Sequence, residues 1–225
     1  MLGKWVTLEG GEGCGKSTQI QLLAEWLRGY GFSVHVTHEP GGVKSAEKLR
    51  GSLLYDPDFK GIAPATELMM FMAARTESLR LDVLPRLEQG DIVLSDRSLL
   101  SSVAYQGAAG GLDVSSILWA HKAFVLPKLD YQTLWPDLTI VLDISPETGL
   151  ARKHEQAESS NEELTIFDEK SLEYHRAVNR GFVTCLSQYK EAIGGERVAT
   201  IIDAEKCVKS VSLMIRQRIE ELRFL

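Results

Sequence analysis

A lysine that follows a glycine-rich run and precedes a hydroxyl residue is a combination suited to holding phosphate. Gly10-Gly11-Glu12-Gly13-Cys14-Gly15-Lys16-Ser17 has the spacing G-x-x-x-x-G-K-[ST]. Glycine-rich backbone can turn its N–H groups inward around phosphate oxygens, and the positive end of a following helix adds to the field. Lys16 can then reach the outer phosphates, with Ser17 placed to hold Mg²⁺ and Thr18 completing the loop. A dinucleotide fingerprint starting at Gly11 would need its last glycine where Lys16 stands, so that chemistry is excluded here.

Such a loop works only between a strand and a helix, and the flanking residues supply both. Trp5, Val6 and Leu8 precede it as an apolar run; Ile20, Leu23, Ala24 and Leu27 follow at helical spacing, ended by Gly29 and Gly31. Residues 5–9, 33–38, 92–96, 138–143 and 198–202 read as buried strands separated by helical patterns. Five such runs predict an α/β fold, a parallel sheet with right-handed crossovers and helices on both faces. No Pro/Ser-rich linker or internal repeat divides the chain, so residues 1–225 are expected to form one domain. Residues 154–169 carry six acidic residues and no Lys or Arg, which predicts a mobile surface excursion.

The net charge of −6 argues against a nucleic-acid partner, which needs clustered cations. Three scattered cysteines suit neither a disulfide framework nor a zinc site and suggest a reducing compartment, with cytoplasm the default. No stretch approaches the roughly 18 apolar residues a membrane span needs, and with Met1 to Lys4 running into the first strand no signal peptide is expected. Cys14, at the mouth of a helix N-terminus, is the expected reactive thiol; Cys185 and Cys207 are expected to be packed. His38, His121, His154 and His175 show no metal-ligand spacing and read as structural.

Ligands of open α/β sheets gather at the carboxyl ends of strands, here Glu9, Glu39-Pro40-Gly41-Gly42, Asp96-Arg97 and Asp143. Carboxylates and an arginine converging on phosphates suit a magnesium nucleotide, and on spacing alone either Asp96 or Asp143 could face the metal. At this point the chain resembles the bacterial thymidylate kinases. The resemblance is carried by Glu-Gly-Gly-Glu-Gly-Cys-Gly-Lys-Ser-Thr (9–18), Glu-Pro-Gly-Gly (39–42), Ala-Glu-Lys-Leu-Arg (46–50) and Met-Met-Phe-Met-Ala-Ala-Arg (69–75). It continues with Asp-Arg (96–97), Ser-Ser-Val-Ala-Tyr-Gln-Gly (101–107) and Pro-Asp-Leu-Thr (136–139), nearly spanning the chain.

The resemblance implies a three-layer P-loop kinase fold with a lid at about residues 150–168, acting as a homodimer on dTMP and ATP with Mg²⁺. It places Phe71 under the thymine ring, Arg75 on its O4, Ser102 at N3, and Gln106 beside base and sugar. Tyr105 would crowd the 2′ position and Glu12 would meet the 3′-hydroxyl. Arg50 and Arg97 would grip the acceptor phosphate, with Glu39 and Pro40 alongside. Asp96 is selected as the magnesium partner over Asp143, Glu39 is a second, water-mediated contributor, and the segment at Ala204 would lie against adenine.

Two departures stand out. Enzymes of this family supply one further cation from the phosphate loop or from lid arginines, yet Glu12-Gly13-Cys14 fills this loop and Arg152-Lys153 are followed by acidic residues. Arg152, with Lys153 behind it, is therefore the expected lid cation. The stretch 114–135 is longer than usual and has no reading beyond an altered dimer edge. Two rivals stay open: another small-molecule P-loop kinase, and an ATP-binding scaffold whose depleted lid no longer supports turnover.

Overall fold

The computed structural model describes residues 2–125, 128–129, 132–161 and 163–221; part of the long 114–135 stretch thus lies outside it. The expected strands appear within a residue at each end: β1 (Lys4–Glu9), β2 (Val34–His38), β3 (Ile92–Asp96), β6 (Leu138–Asp143) and β7 (Val198–Asp203). They form one parallel sheet in the order β2-β3-β1-β6-β7. A two-stranded antiparallel pair, β4 (Lys128–Leu129) and β5 (Gln132–Thr133), stands apart from it.

Apolar residues alternate between two cores because successive strand side chains point to opposite faces. Val6 and Leu8 of β1 join Leu94, Ile140 and Leu142 against α1 (Lys16–Gly29) and α10 (Val208–Glu221). Trp5, Val93, Val141 and Ala199 face the other way, onto α3 (Pro64–Ser78), α8 (Leu172–Thr184) and α9 (Leu186–Ile193). Between them come α2 (Lys44–Tyr55), α4 (Leu84–Glu88), α5 (Leu99–Ser102), α6 (Val114–Ala120) and α7 (Pro146–Ser160). Helix α5 runs on as a π-helical segment, Val103–Ala109, which α8 meets so closely that a Cβ on Gly181 would sit 2.5 Å from the Ala108 Cβ.

This order puts β1 at the centre, with β3 on one side and β6 on the other. The connection leaving β1 runs to β2 on one side, whereas the one leaving its neighbour β3 crosses to β6 on the other, opening a crevice between β1 and β3 at the carboxyl ends of the strands. Glu9, Asp96 and Asp143 all end strands at that edge, Leu8 pairing with Asp96 and Glu9 with Val141. The sheet is therefore a frame that brings residues from distant parts of the sequence to one rim.

Candidate active site

The loop from Gly10 to Gly15 leaves β1 and enters α1 through Gly15, whose φ of 90° lies in the left-handed region open to glycine. Among the described residues no side chain caps α1, so its first N–H groups remain available to a ligand. Lys16 is 7% exposed, with Nζ donating to the carbonyls of Gly11 at 2.9 Å and Gly10 at 3.3 Å. Gly13 has φ 63°, and a Cβ there would meet the Gly149 carbonyl oxygen at 1.9 Å, so the first turn of α7 lies directly against the loop. Ser17 Oγ donates to Asp96 Oδ2 at 3.0 Å.

Beneath the loop, Glu9 is fully buried and organises the turn after β3. Its carboxylate accepts from Ser98 N at 2.8 Å and Ser101 Oγ at 2.6 Å. That turn contains Arg97, a non-glycine residue at φ 73°, a conformation that persists only when its surroundings hold it. The Arg97 amide donates to Leu8 O at 2.9 Å and its carbonyl accepts from Ser95 Oγ at 2.8 Å. Its guanidinium then reaches Gly10 O at 2.9 Å, Ser101 Oγ at 3.1 Å and Glu12 Oε1 at 2.9 Å, and lies 5.2 Å from the centre of the Tyr105 ring.

Burial pushes the Glu9 carboxyl up to about 7, against the Ser101 hydrogen bond and the Arg97 charge. A carboxyl raised above its ordinary value of 4.5 binds its proton more tightly folded than unfolded, so stability falls as pH rises from about 4.5 to about 7. The penalty, on the order of 3 kcal/mol, is complete above that window. Glu9→Gln should therefore raise Tm relative to wild type at pH 8 by clearly more than at pH 5. A Tm difference that does not change with pH would remove this account of Glu9.

Glu12 behaves oppositely. Burial alone would raise its carboxyl, but Arg97, Lys16 and the Tyr105 hydroxyl bring it down to about 2. Tyr105 Oη donates to Glu12 Oε1 at 2.5 Å, so Tyr105, Arg97 and Glu12 form one closed network. Farther along the crevice, Arg75 is 3% exposed and donates from Nε to Glu39 Oε2 at 2.5 Å. Its Nη2 donates to Ser98 O at 3.2 Å and Ser102 Oγ at 3.1 Å, while Nη1 has no hydrogen-bond partner among the described residues. Phe71 sits one turn before Arg75 on α3, and Arg50 Nη1 donates to Pro40 O at 3.1 Å.

Glu39, expected as a water-mediated contributor at the metal, lies in the crevice with its carboxylate buried against Arg75 on α3. Asp143, passed over as the magnesium partner, accepts from Asn179 Nδ2 at 2.9 Å, a structural contact. The structure corrects other expectations. The acidic stretch is not a surface excursion throughout: α7 continues to Ser160, and Ile166, Phe167 and Asp168 are buried. The Ile166 amide donates to Leu54 O at 2.8 Å, and the Phe167 ring lies 6.0 Å from Phe71 and 5.9 Å from Tyr105. Cys14 is 3% exposed, with Sγ turned inward 3.5 Å from Lys16 Nζ, whereas Cys207 is exposed and its thiol is drawn down by Ser210. Cys185 is packed.

One cavity of about 1010 Å³ joins these parts. Its wall includes the loop from Glu12 to Thr18, Arg50, Phe71, Arg75, Arg97, Ser102, Tyr105 and Gln106, together with Arg152, Lys153 and Ala204. Arg152 Nη1 donates to Ala204 O at 3.3 Å, tying α7 to the turn after β7. Thr165, Phe167 and Asp168 also line it and were missed in the sequence. The available signal was the apolar pair Ile166-Phe167 inside a polar run. Ser17 and Asp96 offer a hydroxyl and a carboxylate oxygen side by side at the rim, a donor set that suits Mg²⁺ sharing its remaining positions with water and phosphate.

A parallel sheet with its phosphate loop at the central strand, and an arginine-lined subsite opening from the same cavity, define a P-loop kinase. A family model described as thymidylate kinase matches residues 8–215. A thymidylate kinase of Oceanobacillus iheyensis is 39% identical over 211 residues, covering 94% of this chain and 87% of that protein. Another, of Halalkalibacterium halodurans, is 36% identical over 221 residues, covering 96% and 98%. The crystal structure of thymidylate kinase from Ehrlichia chaffeensis matches with a TM-score of 0.71 and 26% identity over 98% of this chain and 99% of that one. The chain belongs to the thymidylate kinase family. Among the described residues no helix is long and apolar enough to cross a membrane.

Proposed function

We propose that this protein transfers the γ-phosphoryl group of ATP to the phosphate of dTMP, giving dTDP and ADP. The observation that carries the reading is the single cavity, with the phosphate loop on one wall and Phe71, Arg75, Ser102 and Tyr105 on another. The Nη1 of Arg75, without a partner among the described residues, is a fixed donor for thymine O4, which the amino group of cytosine could not accept from. Phe71 provides an aromatic face for the base. Tyr105 stands against the sugar, and the ionised Glu12 accepts from its 3′-hydroxyl.

In the reaction an oxygen of the acceptor phosphate forms the new bond to Pγ while the bond from Pγ to the bridging oxygen breaks, leaving ADP. The attacking oxygen is already ionised, so no strong general base is required, and catalysis consists of alignment and charge neutralisation. Arg97 and Arg50 hold the acceptor phosphate through forked donors. Lys16 and the first N–H groups of α1 hold the outer phosphates of ATP, and Ala204 borders its adenine. Ser17 and Asp96 would hold Mg²⁺, which when bound neutralises charge on the β- and γ-phosphates. Arg152 supplies the cation that the loop lacks.

The whole chain acts as one kinase unit, residues 150–168 covering the cavity. A homodimer is supported by exposed apolar side chains, Met69 at 57%, Trp119 at 64% and Phe124 at 71%. Incubation with Mg·ATP and dTMP should give equimolar dTDP and ADP by ³¹P NMR, and thymidine should give neither. Phosphorylation of thymidine in preference to dTMP would replace the reading with a nucleoside kinase.

A further inference from the structure

Glu67 lies in the first turn of α3 and is only 7% exposed. It precedes Phe71 by four residues and Arg75 by eight, so the three fall along one helix face. Phe71 and Arg75 line the cavity, whereas Glu67 stands behind the wall. Its one side-chain hydrogen bond among the described residues is from Gln106 Nε2 at 3.1 Å. A buried carboxylate is costly, and an aliphatic side chain would fill that space without the cost, so the pair calls for a physical reason.

The asymmetry of the amide provides one. A carboxylate only accepts, so Gln106 must turn its NH₂ toward Glu67, and a flipped amide would set oxygen against oxygen. Oε1 is thereby left as the free end. Gln106 is 1% exposed and lines the cavity, and no described residue donates to its Oε1. We infer that Glu67 is a positioning residue for specificity, holding the Gln106 amide so that its oxygen accepts a hydrogen bond from the nucleoside of the acceptor nucleotide. This rests on the dTMP reading. A thymidine nucleotide offers two such donors, the imide N3–H of the base and the 3′-hydroxyl of the sugar.

Loss of one oriented hydrogen bond predicts that Glu67→Leu raises KM for dTMP about tenfold while kcat stays within about twofold. Glu67→Gln, whose own carbonyl oxygen can still accept from Gln106 Nε2, should bring KM back to within about twofold of wild type. Gln106→Leu should reproduce the KM effect, and the double variant should be no worse than either single one. If Glu67→Leu does not fold, Gln106→Leu carries the same comparison. Two analogues identify the donor: 3-methyl-dTMP lacks the imide N–H and 3′-deoxy-dTMP lacks the hydroxyl. The KM penalty should vanish with one analogue and persist with the other.

An unchanged KM, an equal penalty with dTMP and both analogues, or Glu67→Gln as impaired as Glu67→Leu would mean lost packing and overturn the inference. Wild-type protein that converts dTMP but yields those patterns loses this inference alone. Wild-type protein that neither binds nor phosphorylates dTMP loses the inference together with the reading beneath it.

Discussion

Lys16→Ala should reduce ATP-dependent phosphorylation of dTMP by on the order of 10³-fold or more, with fold and Tm little changed. Lys16 is buried at the base of the loop, its ammonium resting on the carbonyls of Gly10 and Gly11. Those carbonyls are neutral acceptors and hold an ammonium less strongly than an anionic phosphate would, so the side chain is parked where an incoming triphosphate can take it over. A rival explanation is that Lys16 merely staples the loop. Lys16→Arg separates the two, since it keeps the positive charge and donors to carbonyls but cannot place a compact ammonium between two phosphates. Both variants should lose turnover. Full activity in Lys16→Arg would favour the staple.

Arg152→Ala should lower kcat by about 10³-fold, as loss of an arginine finger does, with a much smaller effect on KM for dTMP. Gly149, one turn earlier on α7, is pressed against Gly13 of the phosphate loop, which fixes the helix over the triphosphate site. Arg152 follows on the cavity wall, steadied by the Ala204 carbonyl. The loop from Gly10 to Ser17 holds no cation besides Lys16, so the charge developing on the transferring group has few other sources of neutralisation. Single-turnover rates with saturating ATP and dTMP measure the effect without interference from product release. A loss under about threefold would return Arg152 to the role of a tether for the turn at Ala204.

What was legible in the sequence was local. The loop Gly10 to Ser17, the first helix ended near Gly29 and the five strands follow from periodicity and glycine placement within short windows. The spacing of Phe71 and Arg75 likewise placed them on one helix face. Contacts stayed hidden where a side chain's partner lies far along the chain. Glu39 meets Arg75, which is 36 positions away, a contact that no local pattern shows. Glu9 is fixed by Ser98 and Ser101, 89 and 92 positions on, and its role beneath the Arg97 turn emerges only when β1 and β3 lie side by side. Charge counting classed 154–169 as a surface run because six acidic residues outweighed one apolar pair, yet Ile166 and Phe167 carry the packing. Cys14 was misjudged for a related reason: helix-end position suggests reactivity, whereas the glycines around it turn the thiol inward.

The proposed transfer requires one cavity to align ATP with a thymidine monophosphate and the spare lid of this chain to suffice for the reaction. Steady-state ADP release with Mg·ATP, measured in parallel on dTMP, dUMP, dCMP and dAMP, tests it most directly. Release should be efficient on dTMP, weaker on dUMP because a methyl group discriminates only modestly, and slight on dCMP or dAMP. Tight ATP binding with no release above background on any of the four would contradict it and leave a nucleotide-binding protein without phosphotransfer.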